Sequence, residues 1–142
     1  TKGEYYLADA MQILLDQGLQ MQANEVEVWK DCGKPESLLE TNKHLLEHGH
    51  DNSAQLQVDG SVIVPPVNIH VDAKITNSVI GPHATIGADC TITSSIISDS
   101  IIEQGTQIVD TVLTQSLIGS YTNVKGQSST LNVGDQSEIG FE

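Results

Sequence analysis

The chain has 142 residues, and its 19 acidic side chains against six basic ones, all lysines, give a formal net charge of −13. Nucleic-acid binding requires a basic face, so this composition excludes it as an expected activity. Bidentate phosphate contacts usually come from arginine, and the sequence contains none.

The first predicted element is an amphipathic helix. Apolar residues recur there at helical spacing, at Leu7, Met11, Leu14 and Leu15. Gly18 is a suitable C-terminal stop. The segment NEVEVWK (24–30) then alternates valine with glutamate, which predicts a strand across Val26 and Val28.

A second helix is predicted to begin at Pro35 and to end before Gly49, because proline suits the first helical turn. Two helices and one strand bury too little surface to fold alone. We therefore interpret residues 1–49 as the C-terminal part of a larger α/β domain. Residues 50–60 are rich in turn-forming residues and lack periodicity, which predicts a linker.

A different period begins at Ser61. Aliphatic residues recur every five or six positions, at Ile63, Ile69, Ile75, Ile80, Ile86, Ile92, Ile97, Ile102, Ile108, Leu113, Ile118 and Val124. The residue two positions before each is small, from Ser61 through Thr122. Alternating large and small inward residues on short strands are typical of a hexapeptide-repeat, left-handed parallel β-helix. The fold is therefore predicted to be mainly β, with this solenoid over 61–142; Val133 and Ile139 continue the spacing and are expected to finish it.

Three strands form each coil, so the residue before each aliphatic one points outward from one of three walls. The first wall is apolar along its length and the second becomes apolar late. These residues are predicted to form an interface, namely Val62, Val79, Ile96, Val112, Ile101 and Leu117. The partner could be the α/β part or another subunit, which favours a homo-oligomer. A simple strand preference for β-branched residues is the alternative explanation.

Two segments before the repeats carry a family resemblance, GEYYLADAMQ (3–12) and VWKDCGKPESLLETN (28–42). Followed by a hexapeptide β-helix, they resemble the sugar-1-phosphate nucleotidyltransferases, most closely the long-chain glucose-1-phosphate thymidylyltransferase-like branch. The resemblance implies that Glu4 accepts hydrogen bonds from sugar hydroxyls and that Asp31 helps to hold a catalytic Mg²⁺. Both roles suit carboxylates, and Mg²⁺ takes one or two of them together with phosphate oxygens and water. Without the resemblance, Asp31 would be interpreted as a turn residue and Glu4 as an acid at a helix start.

The family's glycine-rich, arginine-bearing phosphate loop does not occur in the sequence. The chain is therefore expected to be the C-terminal part of an enzyme whose full-length form uses a nucleoside triphosphate and a sugar 1-phosphate. Alone, it is expected to be inactive.

Two other functions remain open. Many hexapeptide β-helices are acyltransferases that use acetyl-coenzyme A and a histidine base. His70 and His83 lie in the repeats, but both are expected to be solvated corner residues. The solenoid could instead be a purely structural assembly module. His44, His48 and His50 are better explained by the negative end of a helix than by a metal site.

The sequence contains neither an apolar run that could span a membrane nor a secretory leader pattern, so no membrane partner is expected. Cys32 and Cys90 form neither a disulfide framework nor a zinc pattern. Together these features predict a cytoplasmic protein.

Overall fold

The computed structural model describes residues 6–56, 58, 60–126 and 130–140. From residue 62 onward, short strands follow one another around a parallel solenoid of about five coils. The strands are β1 (Val62–Ile63), β2 (Val67–Ile69), β3 (Lys74–Thr76), β4 (Val79–Ile80), β5 (Ala84–Ile86), β6 (Thr91–Thr93), β7 (Ile96–Ser98), β8 (Ile101–Ile102), β9 (Gln107–Val109), β10 (Val112–Thr114), β11 (Leu117–Ile118), β12 (Asn123–Lys125), β13 (Asn132–Val133) and β14 (Glu138–Gly140).

The strands form three parallel sheets, one for each predicted wall. We name them sheet A (β1-β4-β7-β10), sheet B (β2-β5-β8-β11-β13) and sheet C (β3-β6-β9-β12-β14). In sheet A the outward residues pair in one ladder, Val62 with Val79, Val79 with Ile96, and Ile96 with Val112. This register confirms the assignment of residues to walls, and the architecture is that expected of a left-handed β-helix.

The core lies on the solenoid axis and consists of the predicted inward residues. The aliphatic residues from Ile69 to Val124 are buried, and Ile63 packs against them at the first coil. The small inward partners from Ser78 to Thr122 are buried as well. Gly87 and Gly119 lie where a Cβ atom would come within 2.8 and 2.6 Å of backbone nitrogen in the next coil. The coils therefore approach too closely for any other residue at these positions.

Buried hydroxyl groups connect successive coils beneath sheet A, a feature that the repeat pattern did not reveal. Ser95 Oγ donates to the carbonyl of Thr93 at 2.8 Å and accepts from the amide of Thr111 at 3.2 Å. Ser78 makes the equivalent bonds to Thr76 and Ser95. The small inward residues thus satisfy backbone groups at the corners as well as leaving room for the aliphatic ones.

Two helices precede the solenoid, α1 (Leu7–Asp16) and α2 (Pro35–Leu45), as predicted. An irregular turn of helix follows α2 at Leu46–His50, where Gly49 has a φ of +105°, and a 3₁₀ turn covers Ser53–Gln55.

The prediction of a strand within residues 24–30 was wrong, because this segment has no regular secondary structure. Strands need hydrogen-bonding partners, and the described part of the chain offers this segment none. Its side chains are largely in solvent, with Val26 63%, Val28 52% and Trp29 86% exposed.

Helix α2 lies along sheet B, roughly parallel to the solenoid axis. Its N-terminal half faces Asn132 of β13, its residue Asn42 contacts Thr85 of β5, and its C-terminal extension reaches Asn68 of β2. Eleven residues of α2 and five of the following turn span about 24 Å at 1.5 Å per residue. Five strands at about 4.8 Å spacing span about 19 Å, so the helix has the length needed to cross the whole sheet.

The chain between helix and solenoid is bonded to the first coil. The side chain of Asn52 bonds twice to the backbone of Ile69. Its Nδ2 donates to the Ile69 carbonyl at 2.9 Å, and its Oδ1 accepts from the Ile69 amide at 3.0 Å, so it pairs with the open edge of β2 as a strand would. Asp51 Oδ1 accepts from the amide of Val67 at 3.0 Å. Leu56 and Val58 then pack over the end of the core.

At the opposite end the tail adds strands β13 and β14, with Val133 and Ile139 half-buried. None of the helices in the described ranges combines the length and apolarity needed to cross a bilayer.

Candidate functional site

Asp31 lies in the turn that leads into α2. Its Oδ1 accepts a hydrogen bond of 3.0 Å from the amide of Gly33, which closes a local turn, and its side chain is exposed. Lys34 is extended (φ −133°, ψ 152°), as the following Pro35 requires. Asp31 therefore stabilises this turn through its Oδ1, and its carboxylate faces solvent.

Glu4 lies outside the described residues. Among those that are described, no three His, Cys, Asp or Glu side chains converge on a point that could hold a metal ion. Asp31 therefore does not belong to a group of three or more such side chains within this part of the chain. One protein ligand is compatible with Mg²⁺, which is commonly completed by substrate phosphates and water.

His83 forms the centre of a polar cluster between the helix and the solenoid. Its Nδ1 lies 3.1 Å from Asp99 Oδ1 and its Nε2 lies 3.1 Å from Glu47 Oε1, and only 15% of its side chain is exposed. The expectation of a solvated corner histidine was wrong for His83. Asp99 approaches from the neighbouring coil and Glu47 from the turn after α2, and together they enclose the ring.

Sequence reasoning missed this cluster because its members are far apart in the chain. Asn42 Nδ2 donates to the carbonyl of His83 at 3.2 Å, and Thr85 Oγ1 donates to Asn42 Oδ1 at 2.6 Å. The separations are 36 residues for Glu47 and His83 and 43 for Asn42 and Thr85. No local pattern marks such pairs, and only the position of α2 on sheet B brings them together.

A groove of about 390 Å³ lies between α2 and the solenoid. Leu39, Glu40 and Lys43 line it on the helix side, and Asp99 and Gln115 line it on the solenoid side. The groove adjoins the His83 cluster, because Asp99 lines the groove and also lies beside the His83 ring.

The other candidate residues have structural partners. His48 Nδ1 lies 2.7 Å from the carbonyl of His44, and their rings stack with centroids 4.0 Å apart. His70 is exposed next to Asp72. Cys90 is buried in the core, where burial raises the pKa of its thiol. With both ring nitrogens of His83 beside carboxylates, no histidine of the repeats has the geometry of a free general base enclosed in a pocket.

The six predicted interface residues fall into two groups. Ile101 and Leu117 are half-buried on sheet B, the sheet along which α2 runs. On sheet A, Val62 is 57%, Ile96 47% and Val112 41% exposed, and Val79 is half-buried. The structure therefore places α2 beside sheet B, where Asn42 bonds to Thr85, and among the described residues no helix is hydrogen-bonded to the strands of sheet A.

Comparisons with known proteins agree with this architecture. Residues 52–108 match a family model described as the GlmU-like, C-terminal hexapeptide. The low-salt glycan biosynthesis nucleotidyltransferase Agl11 of Haloferax volcanii is 47% identical over 47 residues, which are 32% of this chain and 13% of that protein. The chain therefore matches only a small part of that relative's length. Together with the parallel solenoid, these similarities fit a hexapeptide β-helix fragment of the nucleotidyltransferase family.

Proposed function

We propose that this chain is the C-terminal portion of a sugar-1-phosphate nucleotidyltransferase, most similar to the glucose-1-phosphate thymidylyltransferase-like branch. The observation that carries the proposal is the position of Asp31. Its carboxylate is exposed in a W-x-D-x-G-x-P turn, and the helix that begins there lies on a hexapeptide solenoid. The similarity to the GlmU-like hexapeptide and to Agl11 supports the same class.

In the reaction of this class, an oxygen of the sugar phosphate attacks the α-phosphorus of a nucleoside triphosphate. The bond from that phosphorus to the bridging oxygen breaks, and pyrophosphate leaves. A bound Mg²⁺ would supply charge neutralisation to the departing group. The proposed role of Asp31 is to hold that cation at a fixed place, because the Gly33 amide restrains its Oδ1. Glu4 is proposed to accept hydrogen bonds from the sugar hydroxyls.

The solenoid is proposed to support this site as a rigid platform. Asn42, His83 and Glu47 tie the helix to sheet B, so the turn before α2 is attached to a body that does not bend easily. The exposed apolar residues of 7–29 fit a segment that completes its packing against the rest of an α/β domain. The two free thiols suit a reducing cytoplasm.

The test measures pyrophosphate release by the parent enzyme that contains these residues. Asp31→Asn is expected to lower kcat by about 10²-fold or more, because a neutral amide holds the cation weakly, and to raise the Mg²⁺ concentration needed. Asp110→Asn, at an exposed corner of the solenoid, is the matched control and should retain activity.

The chain alone, given Mg²⁺, thymidine triphosphate and glucose 1-phosphate, is expected to release no pyrophosphate. Turnover by the chain alone, or full activity of Asp31→Asn, would contradict the proposal.

A further inference from the structure

We propose that two side-chain contacts with α2 hold the Asp31 carboxylate in position for the cation. The positioning residues are Lys30 and Cys32 in the turn, and Glu40 and Thr41 in the helix. Because it takes Asp31 as a ligand of Mg²⁺, this inference rests on the proposed function. Lys30 and Cys32 occupy the two unspecified positions beside Asp31 in the W-x-D-x-G-x-P turn, so the family motif itself assigns them no role.

Both neighbours of Asp31 in the chain contact the second turn of α2. Lys30 Nζ forms an ion pair with Glu40 Oε1 at 3.2 Å. The Cys32 thiol donates to Thr41 Oγ1, with 3.6 Å between sulfur and oxygen. The two helix residues are adjacent, so both contacts attach the turn at one level of the helix. Asp31 therefore lies between two attached residues and not at the end of a free loop.

Three restraints together limit how far the carboxylate can move. The Gly33 amide donates to Asp31 Oδ1 at 3.0 Å, which fixes the side chain relative to the turn. The two contacts with α2 fix the turn relative to the helix. Mg²⁺ requires near-ideal octahedral geometry, so a ligand that changes position binds it less well. In enzymes generally, a misplacement of about 1 Å can cost about 10²-fold in rate.

The same part of α2 is bonded to the solenoid. Thr41 is followed by Asn42, whose side chain accepts from the Thr85 hydroxyl at 2.6 Å. The Thr41 hydroxyl itself donates to the Ser37 carbonyl at 2.7 Å, which leaves its oxygen free to accept from the Cys32 thiol. Consecutive residues of α2 thus contact the Asp31 turn and sheet B. The position of the Asp31 carboxylate is therefore set by the solenoid through α2.

The exposure of the ion pair determines how large its effect can be. The Lys30 side chain is 32% exposed and the Glu40 side chain 72%, and a pair this accessible to water contributes little to folding. Its loss should leave the thermal midpoint nearly unchanged. Its loss should raise the half-saturating Mg²⁺ concentration by about twofold to fivefold, which is the range that an exposed pair can transmit. This is far less than the loss expected for Asp31→Asn, which removes the ligand itself.

A Mg²⁺ titration of pyrophosphate release by the parent enzyme provides the first test. Lys30→Gln and Glu40→Gln should each raise the half-saturating concentration, and the double variant should raise it no further, because both changes break one contact. A simple effect of charge on the cation would instead give the two variants opposite signs, since one loses a positive charge and the other a negative one. Glu36→Gln is the matched control, because it removes the same charge one helical turn earlier. Glu36 forms no ion pair within the part of the chain that the structure describes, so this variant should behave as wild type does.

Alkylation of Cys32 in the 142-residue chain tests the contacts without metal or turnover. Cys32 is exposed and Cys90 is buried, so the uncharged reagent N-ethylmaleimide should react with Cys32 first. Thr41→Val removes the hydroxyl that accepts from the thiol and should raise the rate at least twofold. Thr41→Ser keeps the hydroxyl and should react at the wild-type rate.

Two results would overturn the inference. One is a Mg²⁺ requirement that shifts in opposite directions in Lys30→Gln and Glu40→Gln, or that stays at the wild-type value in both. The other is an equal rate of alkylation in Thr41→Val and Thr41→Ser. Loss of activity in Asp31→Asn together with either result would refute the positioning role alone, whereas full activity of Asp31→Asn would refute the proposed function.

Discussion

Asn42 of α2 and Thr85 of β5 are joined by a hydrogen bond of 2.6 Å, in which the threonine hydroxyl donates to the amide oxygen. The amide nitrogen of the same side chain donates to the carbonyl of His83 at 3.2 Å. One asparagine thus binds the helix to two residues of one coil. Because α2 begins at the turn that holds Asp31, this contact helps to fix the position of that carboxylate relative to the solenoid.

Replacing Asn42 with alanine is expected to loosen the helix. The change leaves the Thr85 hydroxyl and the His83 carbonyl without this partner, at a cost of about 1–3 kcal/mol for partly buried groups. Urea denaturation measures the loss, and limited proteolysis should cut more rapidly between residues 46 and 60. Asn123→Ala, on the exposed face of sheet C, controls for the amino-acid change and should be nearly neutral. Equal stability of the two variants would show that α2 is held by other contacts.

Ser95→Ala should destabilise the solenoid more than its small change in volume suggests. Ser95 is buried, and its hydroxyl joins the Thr93 carbonyl to the Thr111 amide. The alanine leaves the buried Thr111 amide without a partner, whereas the Thr93 carbonyl keeps the hydrogen bond from the Asp110 amide at 3.1 Å. The expected loss is about 1–3 kcal/mol in the free energy of unfolding. Ser98→Ala, three residues later and pointing outward, should change it by less than about 0.5 kcal/mol. If the two variants unfold at the same urea concentration, the hydroxyl connection contributes nothing.

Gly81→Ala is expected to be among the most damaging single changes. Gly81 has a φ of +105°, which L-residues rarely adopt, and a Cβ atom would collide with the carbonyl oxygen of Val64. Both effects act in a buried corner, so a loss of more than about 3 kcal/mol is expected. Gly140→Ala meets nothing within 4 Å and is the matched control. Thermal unfolding followed by circular dichroism distinguishes them, and a Gly81→Ala midpoint close to that of Gly140→Ala would contradict the collision.

Asp51 makes the junction between helix and solenoid sensitive to acid. Hydrogen bonds from the backbone amides of Ser53 and Val67 lower the pKa of its carboxyl group. A pKa that is lower in the folded state than in the unfolded state gives stability that is present above the unfolded value, about 3.9, and is lost as the pH falls through the folded value. Asp51→Asn should lose this contribution. The stability difference between wild type and variant should therefore shrink as the pH falls below about 4, and a constant difference would refute the assignment.

The solenoid could be predicted in detail because its rule is local. A five- or six-residue spacing with small partners determines which residues turn inward, and parallel stacking then determines which outward residues pair, as for Ile96 with Val79 and Val112.

The helical part obeyed no such rule. The alternation at Val26 and Val28 indicates a strand only if a partner strand exists, and pairing is not a local property. The His83 cluster depends on where α2 lies on sheet B, which neither segment encodes alone. The family motif predicts that Asp31 is a metal ligand, and this role stays a prediction. The structure shows the turn in which Asp31 accepts a hydrogen bond from the Gly33 amide.

Salt should stabilise the folded chain, because most of its charged side chains are acidic and repel one another. Repulsion among 19 acidic side chains, with only six lysines to offset it, opposes the folded state, where the charges are closer together than in the unfolded chain. The screening length falls from about 30 Å at 0.01 M salt to about 3 Å at 1 M, so the thermal midpoint should rise over this range.

Removing two exposed charges by Asp89→Asn and Asp110→Asn should reduce the rise of the thermal midpoint with salt. Both residues have positive φ, near +56° and +53°, which asparagine tolerates well, so the backbone is preserved. Sodium chloride and potassium chloride should act alike if screening is the cause, whereas a midpoint that is unchanged or lowered by salt would show that repulsion does not limit stability.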